Sequence, residues 1–177
     1  MMNETMNTLL QRRSCRAYRP DPVEEEKLQV VLQAGLYAPS AMGRQSVTLV
    51  VVQDQALLAE LETANAEIRG NPGAKLFYGA PAMVIVLADP EATNAINAQC
   101  DGALAMGNMM NAAHSLGLGS CWINRAYEYF NRPEGKALLA KWGLPERLEG
   151  VGNCILGYPA AEAAAPAPRK DGRVVRA

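Results

Sequence analysis

Two continuous runs of mostly apolar residues constrain the fold of this chain more than any other feature. They are Val47–Val52, which is mostly β-branched, and Ala82–Ala88. Such runs are typical of strands covered on both faces, so we predict that the first is a central strand and the second another buried strand. Residues 119–124 and 151–159 predict two further strands. Because helices separate the strands, the pattern indicates a three-layer sandwich of the α/β or α+β class.

Local signals predict where the helices begin and end. Asp21 suits the N-cap of the second helix, with Glu24 in the capping-box position, and Pro39 ends that helix. Asp54 suits the N-cap of the third helix. The predicted helices span residues 4–12, 22–38, 55–68, 90–116 and 133–142.

The longest predicted helix, over residues 90–116, is rich in small residues and methionine. Gly102 and Gly107 lie inside it, and glycine costs a helix up to ~1 kcal/mol relative to alanine. Two such residues predict the close approach of another backbone. We interpret the segment as a core helix that also packs at a dimer interface, and a central helix in the core of a monomer is the alternative.

Size and composition limit the class of protein. A chain of 177 residues favours one domain over residues 1–177, with an extended Ala- and Pro-rich arm over residues 160–177. A net charge of −1 argues against nucleic acid as a partner. No apolar run reaches the roughly 18–20 residues that a membrane-spanning helix needs. No secretion signal opens the chain, so we expect a cytoplasmic protein that binds no membrane.

The cysteines and the single histidine limit the possible chemistry. The four cysteines are scattered without metal-ligand or redox-pair spacing, so we expect reduced thiols and no metal site. Any mechanism with a Ser-His-Asp or Cys-His pair would have to use His114. Its apolar helical context favours a core residue instead.

Positive charge is concentrated at the two ends of the chain. Of the 17 lysines and arginines, four lie between Arg12 and Arg19 and four between Arg169 and Arg176. Arginine side chains bind phosphate oxygens in pairs of hydrogen bonds, and a serine hydroxyl beside them adds a neutral donor. Our hypothesis is that both ends converge on one phosphate-bearing ligand. Two solvated basic segments near the termini are the alternative.

Six motifs, taken in chain order, resemble those of the nitroreductase family. They are residues 12–18 (RRSCRAY), 38–45 (APSAMGRQ), 79–81 (GAP), 116–123 (LGLGSCWI), 156–159 (LGYP) and 168–170 (PRK). The resemblance implies an α+β three-layer α/β/α sandwich with a mixed, mainly antiparallel central sheet. It also implies an intertwined homodimer that binds FMN.

The resemblance also implies which residues contact the flavin. The phosphate, the ribityl chain and the pyrimidine edge would be held by Arg12, Arg13, Ser14 and Arg16, with Arg169 and Lys170 completing the phosphate site. The isoalloxazine ring would be lined from the second subunit by Pro39, Ser40, Ala41, Met42 and Gln45. Near flavin N5 and O4 would lie Cys121, Trp122, Ile123 and Asn124, with Asn71 as a further contact to the ring.

The chemistry implied by the resemblance is ping-pong hydride transfer. NADH or NADPH would reduce FMN, which would then reduce a small electrophilic acceptor such as a nitroaromatic, a quinone or an enone. No catalytic side chain is required, which suits a chain with one histidine. Three alternatives remain: a flavoenzyme of the same fold with another chemistry (dehalogenation, double-bond saturation or flavin fragmentation), a non-catalytic FMN-binding or nucleotide-sensing protein, and a structural protein without a ligand.

Overall fold

The computed structural model describes residues 2–176 and places one antiparallel sheet at the centre of the protein. Within these residues the sheet has four strands in the order β1-β2-β4-β3, and every neighbouring pair is antiparallel. The strands are β1 (Val47–Val52), β2 (Ala82–Ala88), β3 (Gly119–Ile123) and β4 (Glu149–Gly157). One parallel bridge, between Ser14 and Ser120, adds the N-terminal segment beside β3.

The described residues form six α-helices, five of which bury side chains against the two faces of this sheet. They are α1 (Glu4–Gln11), α2 (Glu25–Leu36), α3 (Gln55–Ile68), α4 (Ala95–Ser115), α5 (Ala126–Phe130) and α6 (Pro133–Lys141). Alternate residues of a strand point to opposite faces. Val84 and Val86 of β2 therefore pack with α2 and α4, whereas Met83 and Ile85 pack with α3, α5 and α6. The predicted three-layer α+β sandwich is confirmed.

The prediction that β1 is a central strand is wrong. Every residue of β2 is buried, and β2 lies between β1 and β4. β1 pairs only with β2, and Val51 keeps 37% of its surface exposed. A β-branched run reports that both faces are covered, but the position of the strand in the sheet depends on pairing partners remote in the sequence.

Two predicted helix starts are also wrong. α2 begins at Glu25 rather than after Asp21: Glu24, with an extended backbone, is the N-cap residue, and its carboxylate accepts from the Tyr158 hydroxyl instead of capping the helix. The Asp21 carboxylate forms an ion pair with Arg19 at 3.1 Å. α4 begins at Ala95 rather than near Pro90, and the Asn94 side chain caps it. Asp54 does cap α3, as predicted, accepting from the Leu57 N–H at 2.8 Å. The sequence analysis missed α5, which is five residues long.

The two glycines of α4 differ in their surroundings. A Cβ on Gly102 would lie 2.5 Å from Cγ2 of Val151 in β4, so Gly102 allows helix and sheet to pack closely. The close contact is with a side chain rather than with a backbone. A Cβ on Gly107 would meet nothing within 4 Å beyond its own helix. Gly107, which is half-buried, and Leu104, which is 48% exposed, lie one turn apart and form a surface strip of α4. None of the helices within residues 2–176 has the length and apolarity to cross a bilayer.

Candidate functional site

The basic segment, residues 12–19, is held along the outer edge of β3 by main-chain hydrogen bonds. The Cys15 N–H donates to the Ser120 carbonyl at 2.9 Å, and the Arg19 N–H donates to the Tyr158 carbonyl at 2.9 Å. Gly119 makes the approach possible, because a Cβ there would lie 2.7 Å from Cβ of Cys15. Main-chain hydrogen bonds therefore fix the position of the segment from which the arginine side chains extend.

Beside this edge is a cleft of about 1010 Å³, here called the arginine cleft. Its walls are the basic segment, the C-terminal end of α4, the start of β3 and the beginning of the arm (residues 160–176). The polar and charged residues that line it are Arg12, Arg13, Ser14, Arg16, Arg19, His114, Ser120, Tyr158 and Glu162. The structure thus brings together the four N-terminal residues that the sequence predicted for phosphate binding.

Several donors at the arginine cleft have no hydrogen-bond partner among the described residues. They are Nη1 of Arg12, Nε and Nη2 of Arg13, and Oγ of Ser120, all of them buried atoms. Nη1 of Arg13, by contrast, donates to the carbonyls of Leu10 at 2.9 Å and Arg12 at 2.5 Å. A buried donor without a partner costs about 1–3 kcal/mol. A phosphate group, which offers several acceptor oxygens, fits this donor set.

His114 lies in the wall of the arginine cleft and is half-buried, rather than lying in the core as the sequence indicated. It stands in the last turn of α4. Partial burial and the nearby charges of Arg12 and Arg13 lower the pKa of its imidazole below the ordinary value. Both effects favour the neutral ring in the absence of an anion.

A second cavity of about 210 Å³, here called the β3 cleft, lies beside the C-terminal end of β3. Arg16 lines both cavities, so the two are neighbours on the protein surface. The other lining residues are Asn65, Arg69, Leu76, Tyr78, Cys121, Trp122, Ile123, Asn124 and Arg125. The segment from Cys121 to Asn124, predicted to lie near the flavin ring, thus lines a cavity to which the basic segment also contributes, through Arg16. Cys121 is a buried free thiol.

The backbone is strained at two positions that line the β3 cleft. Tyr78 has φ of 54° and Arg125 has φ of 85°, in the left-handed region that side chains other than glycine rarely adopt. Arg125 also forms an ion pair with Glu128 at 2.9 Å, which helps to hold it in this conformation. Asn65 closes the wall by donating from Nδ2 to the Asn124 carbonyl at 2.7 Å. Such strain is concentrated at ligand sites in many proteins.

The loop at residues 39–45 is anchored to α4 by a buried carboxylate. Asp101 accepts hydrogen bonds from the Ala41 N–H at 2.9 Å and from Oγ of Ser46 at 2.7 Å. Met42 and Gln45 have positive φ, and Met42 is 80% exposed. Pro39, Ser40 and Gln45 line a separate pocket of about 160 Å³. The loop lines neither cleft of its own protomer.

Three other predicted contacts also lie apart from the two clefts. Arg169 and Lys170 are exposed in the arm, beyond the part of the arm that lines the arginine cleft. Asn71 is exposed in the turn after α3, where its N–H donates to the Ala66 carbonyl. Within one protomer, therefore, the C-terminal cations are not among the residues that line the arginine cleft.

Several residues that line the clefts were not predicted from the sequence, among them His114, Ser120, Asn65 and Arg69. Asn65 offered a signal, because it continues the buried stripe of Leu58 and Leu61 on α3, where a polar side chain needs a partner. Ser120 and Arg69 offered none, because their roles depend on which segments pack beside them.

Comparison with known proteins gives consistent similarities across the chain. The sequence profile of the nitroreductase family matches residues 9–158. A nitroreductase with bound FMN from Bacteroides fragilis is 34% identical, with a TM-score of 0.88 over 99% of this chain and 100% of that one. The FMN reductase (NAD(P)H) of Bacillus subtilis is 29% identical over 92% of this chain and 69% of its own length. The NADPH-flavin oxidoreductase of Vibrio harveyi is 31% identical over 89% and 67%.

Proposed function

The chain belongs to the nitroreductase family, and on that premise we propose that it is an FMN-dependent oxidoreductase that uses NADH or NADPH to reduce a small electrophilic acceptor. The acceptor class is that of nitroaromatics, quinones and enones. Relatives named as an FMN reductase and an NADPH-flavin oxidoreductase support the assignment.

The observation that carries the proposal is the set of buried donors without partners on residues that line the arginine cleft. Arg12, Arg13 and Ser120 each present at least one such donor. A phosphate monoester carries about two negative charges and several acceptor oxygens, so it would satisfy these donors at once. Ser14 lines the same cleft and adds a hydroxyl. We therefore assign the FMN phosphate to this cleft.

The β3 cleft is the proposed seat of the isoalloxazine ring. A ligand with a phosphate at one end and a ring at the other needs two joined cavities, and Arg16 lines both of the cavities here. The main chain from Cys121 to Asn124 would face the ring with fixed N–H donors. Such donors favour developing negative charge without reorganisation during the reaction. Asn71 remains a proposed, more distant contact to the ring.

A second subunit would complete the site. The loop with Pro39, Ser40, Ala41, Met42 and Gln45 lines neither cleft of its own protomer, yet it exposes Met42. We propose that the protein is a homodimer of single-domain protomers in which this loop covers the flavin ring of the partner. Arg169 and Lys170, on the exposed arm, would add positive charge to a phosphate site.

When bound, FMN supplies the chemistry of hydride transfer from the reduced nicotinamide to the acceptor. The protein residues bind the phosphate, orient the ring and exclude water from the β3 cleft. No side chain needs to act as a nucleophile or a metal ligand. Among the described residues, no group of three or more His, Cys, Asp or Glu side chains is arranged to hold a metal ion.

The phosphate assignment predicts that Arg12→Ala and Arg13→Ala each weaken FMN binding by about 1–3 kcal/mol, because each removes a charge-assisted hydrogen bond. Arg169→Ala should do the same if the tail reaches a phosphate. Fluorescence titration of apoprotein with FMN and with riboflavin, which lacks the phosphate, measures the effect. Arg132→Ala, at an exposed position outside both clefts, is the control. FMN affinity equal to that of the control in both N-terminal variants contradicts the assignment.

Turnover is tested separately from binding. Mixing the flavin-loaded protein with NADH or NADPH without oxygen should bleach the visible flavin absorbance, and adding a nitroaromatic or a quinone should restore it. Retained flavin that neither nucleotide bleaches would instead favour the non-catalytic FMN-binding alternative.

A further inference from the structure

We infer that His114 is a phosphate-binding residue that takes up a proton when the phosphate of FMN enters the arginine cleft. The inference rests on the proposed function, since it needs a phosphate-bearing ligand in that cleft. It gives a role to a side chain that neither the sequence motifs nor the flavin contacts implied by the family resemblance include.

The placement of His114 is the first support. Its imidazole lines the same cleft as Arg12, Arg13 and Ser120, which carry the buried donors without partners. The ring is half-buried, so it faces the cavity without being fully solvated. It also stands in the last turn of α4, where the unpaired carbonyl ends of the helix favour a cation. Position and helix geometry therefore both suit an imidazolium next to an anion.

The charges around the cleft explain why the ring is neutral beforehand. Burial, followed by the charges of Arg12 and Arg13, lowers the pKa of His114. The charged and titratable residues that line the cleft are Arg12, Arg13, Arg16, Arg19, Glu162, Cys15 and Tyr158. Four of these are arginines and one is a carboxylate, so the local field opposes a further positive charge until an anion arrives.

A bound phosphate reverses this balance. A dianion offsets the two guanidinium charges and offers an oxygen to the ring N–H, so the pKa of His114 rises on binding. By linkage, a site that gains a proton on binding gains affinity as the pH falls through the bound-state pKa of the group. The second ionisation of the phosphate itself, with a pKa of about 6, acts in the opposite direction, because protonation of the phosphate below that pH weakens binding. The two effects are separable by removing the histidine.

Because the chain has one histidine, its ring can be followed by NMR without assignment. The pH titration of the His Cε1–H signal should be measured for full-length apoprotein alone, with FMN, with riboflavin and with inorganic phosphate. FMN and inorganic phosphate should raise the midpoint of the titration, whereas riboflavin should not. Equal midpoints with and without FMN overturn the inference, and this measurement needs no variant.

Binding affinities between pH 8 and pH 6 give a second test. The FMN affinity of the wild type should rise relative to that of His114→Gln as the pH falls, by about tenfold, the effect of one charge-assisted hydrogen bond. His114→Lys, which keeps a positive charge throughout, should bind FMN without this dependence. Glu162→Gln removes a carboxylate that also lines the cleft and should leave the dependence intact.

The outcomes separate this inference from the proposed function. If FMN binds more tightly than riboflavin but His114→Gln has the pH profile of the wild type, the phosphate site stands and the role of His114 falls. If FMN and riboflavin bind equally, or neither binds, the phosphate assignment itself fails. Loss of the pH dependence in Glu162→Gln would assign it to the carboxylate and contradict the inference.

Discussion

Asp101 shows how one buried carboxylate can position a loop that is far from it in the sequence. Its side chain is 4% exposed and accepts one hydrogen bond from the main chain at Ala41 and one from Ser46. Ser40 continues the arrangement by accepting from the Gln45 N–H at 3.0 Å. These bonds hold the loop in a conformation that includes positive φ at Met42. The loop is therefore rigid where it meets α4 and exposed at its tip.

Replacing Asp101 should destabilise the protein in a graded way. Asp101→Ala leaves a buried N–H and a buried hydroxyl without partners, which should lower the free energy of unfolding by about 1–3 kcal/mol. Asp101→Asn retains an acceptor for the Ala41 N–H and can donate to the Ser46 hydroxyl, so its loss should be smaller. Urea denaturation of the wild type and both variants measures the difference. Equal losses in the two variants would show that the hydrogen bonds do not hold the loop.

At the scale of elements, the sequence predicted what is local and missed what is remote. The bounds of β2, and both the cap and the end of α3, agree with the structure, because apolar runs and N-cap residues act on their own neighbourhood. The edge position of β1 depends on pairing with a strand some thirty residues further along the chain, so no local pattern reports it. The same contrast between local and remote determinants applies to the residues of the site. The basic segment was visible as a charge cluster, whereas His114 became part of the cleft only through the packing of α4 beside it.

The two glycines of α4 provide a matched pair of substitutions. Gly102→Ala would place a methyl group 2.5 Å from Val151, and such overpacking should cost about 1–3 kcal/mol of stability. Gly107→Ala meets nothing within 4 Å beyond its helix and should gain up to ~1 kcal/mol from helix propensity. Denaturant unfolding at one fixed protein concentration compares them. A loss of stability in Gly107→Ala would instead show that another molecule packs on this strip, as the proposed dimer allows.

At the scale of the whole molecule, the proposed site is distributed over parts that one protomer does not unite. The arginine cleft and the β3 cleft share Arg16 as a lining residue, but the loop at residues 39–45 lines a different pocket. Arg169 and Lys170 are exposed on the arm. The proposed homodimer accounts for this separation, because the loop of one subunit would then cover the ring bound by the other.

Assembly and flavin retention should therefore be coupled. On dilution of the flavin-loaded protein, dissociation to protomers and release of FMN should rise together, since each ring would lose the partner's loop. Sedimentation velocity gives the assembly state, and the recovery of free-flavin fluorescence gives the released fraction. A protomer that stays monomeric and flavin-loaded at every concentration would contradict the shared site.

The way the basic segment is fixed has a consequence for how such a site can change. Main-chain bonds between Cys15 and Ser120, and between Arg19 and Tyr158, set its course, and neither bond uses a side chain. Two glycines leave room for the segment, Gly119 beside Cys15 and Gly157 beside Tyr18. Side chains such as Tyr18, whose hydroxyl donates to the Cys15 carbonyl, also help to hold the segment. The exposed side chains of Ser14 and Arg16 take no part in these bonds, so substitutions there can change what this edge recognises without moving its main chain.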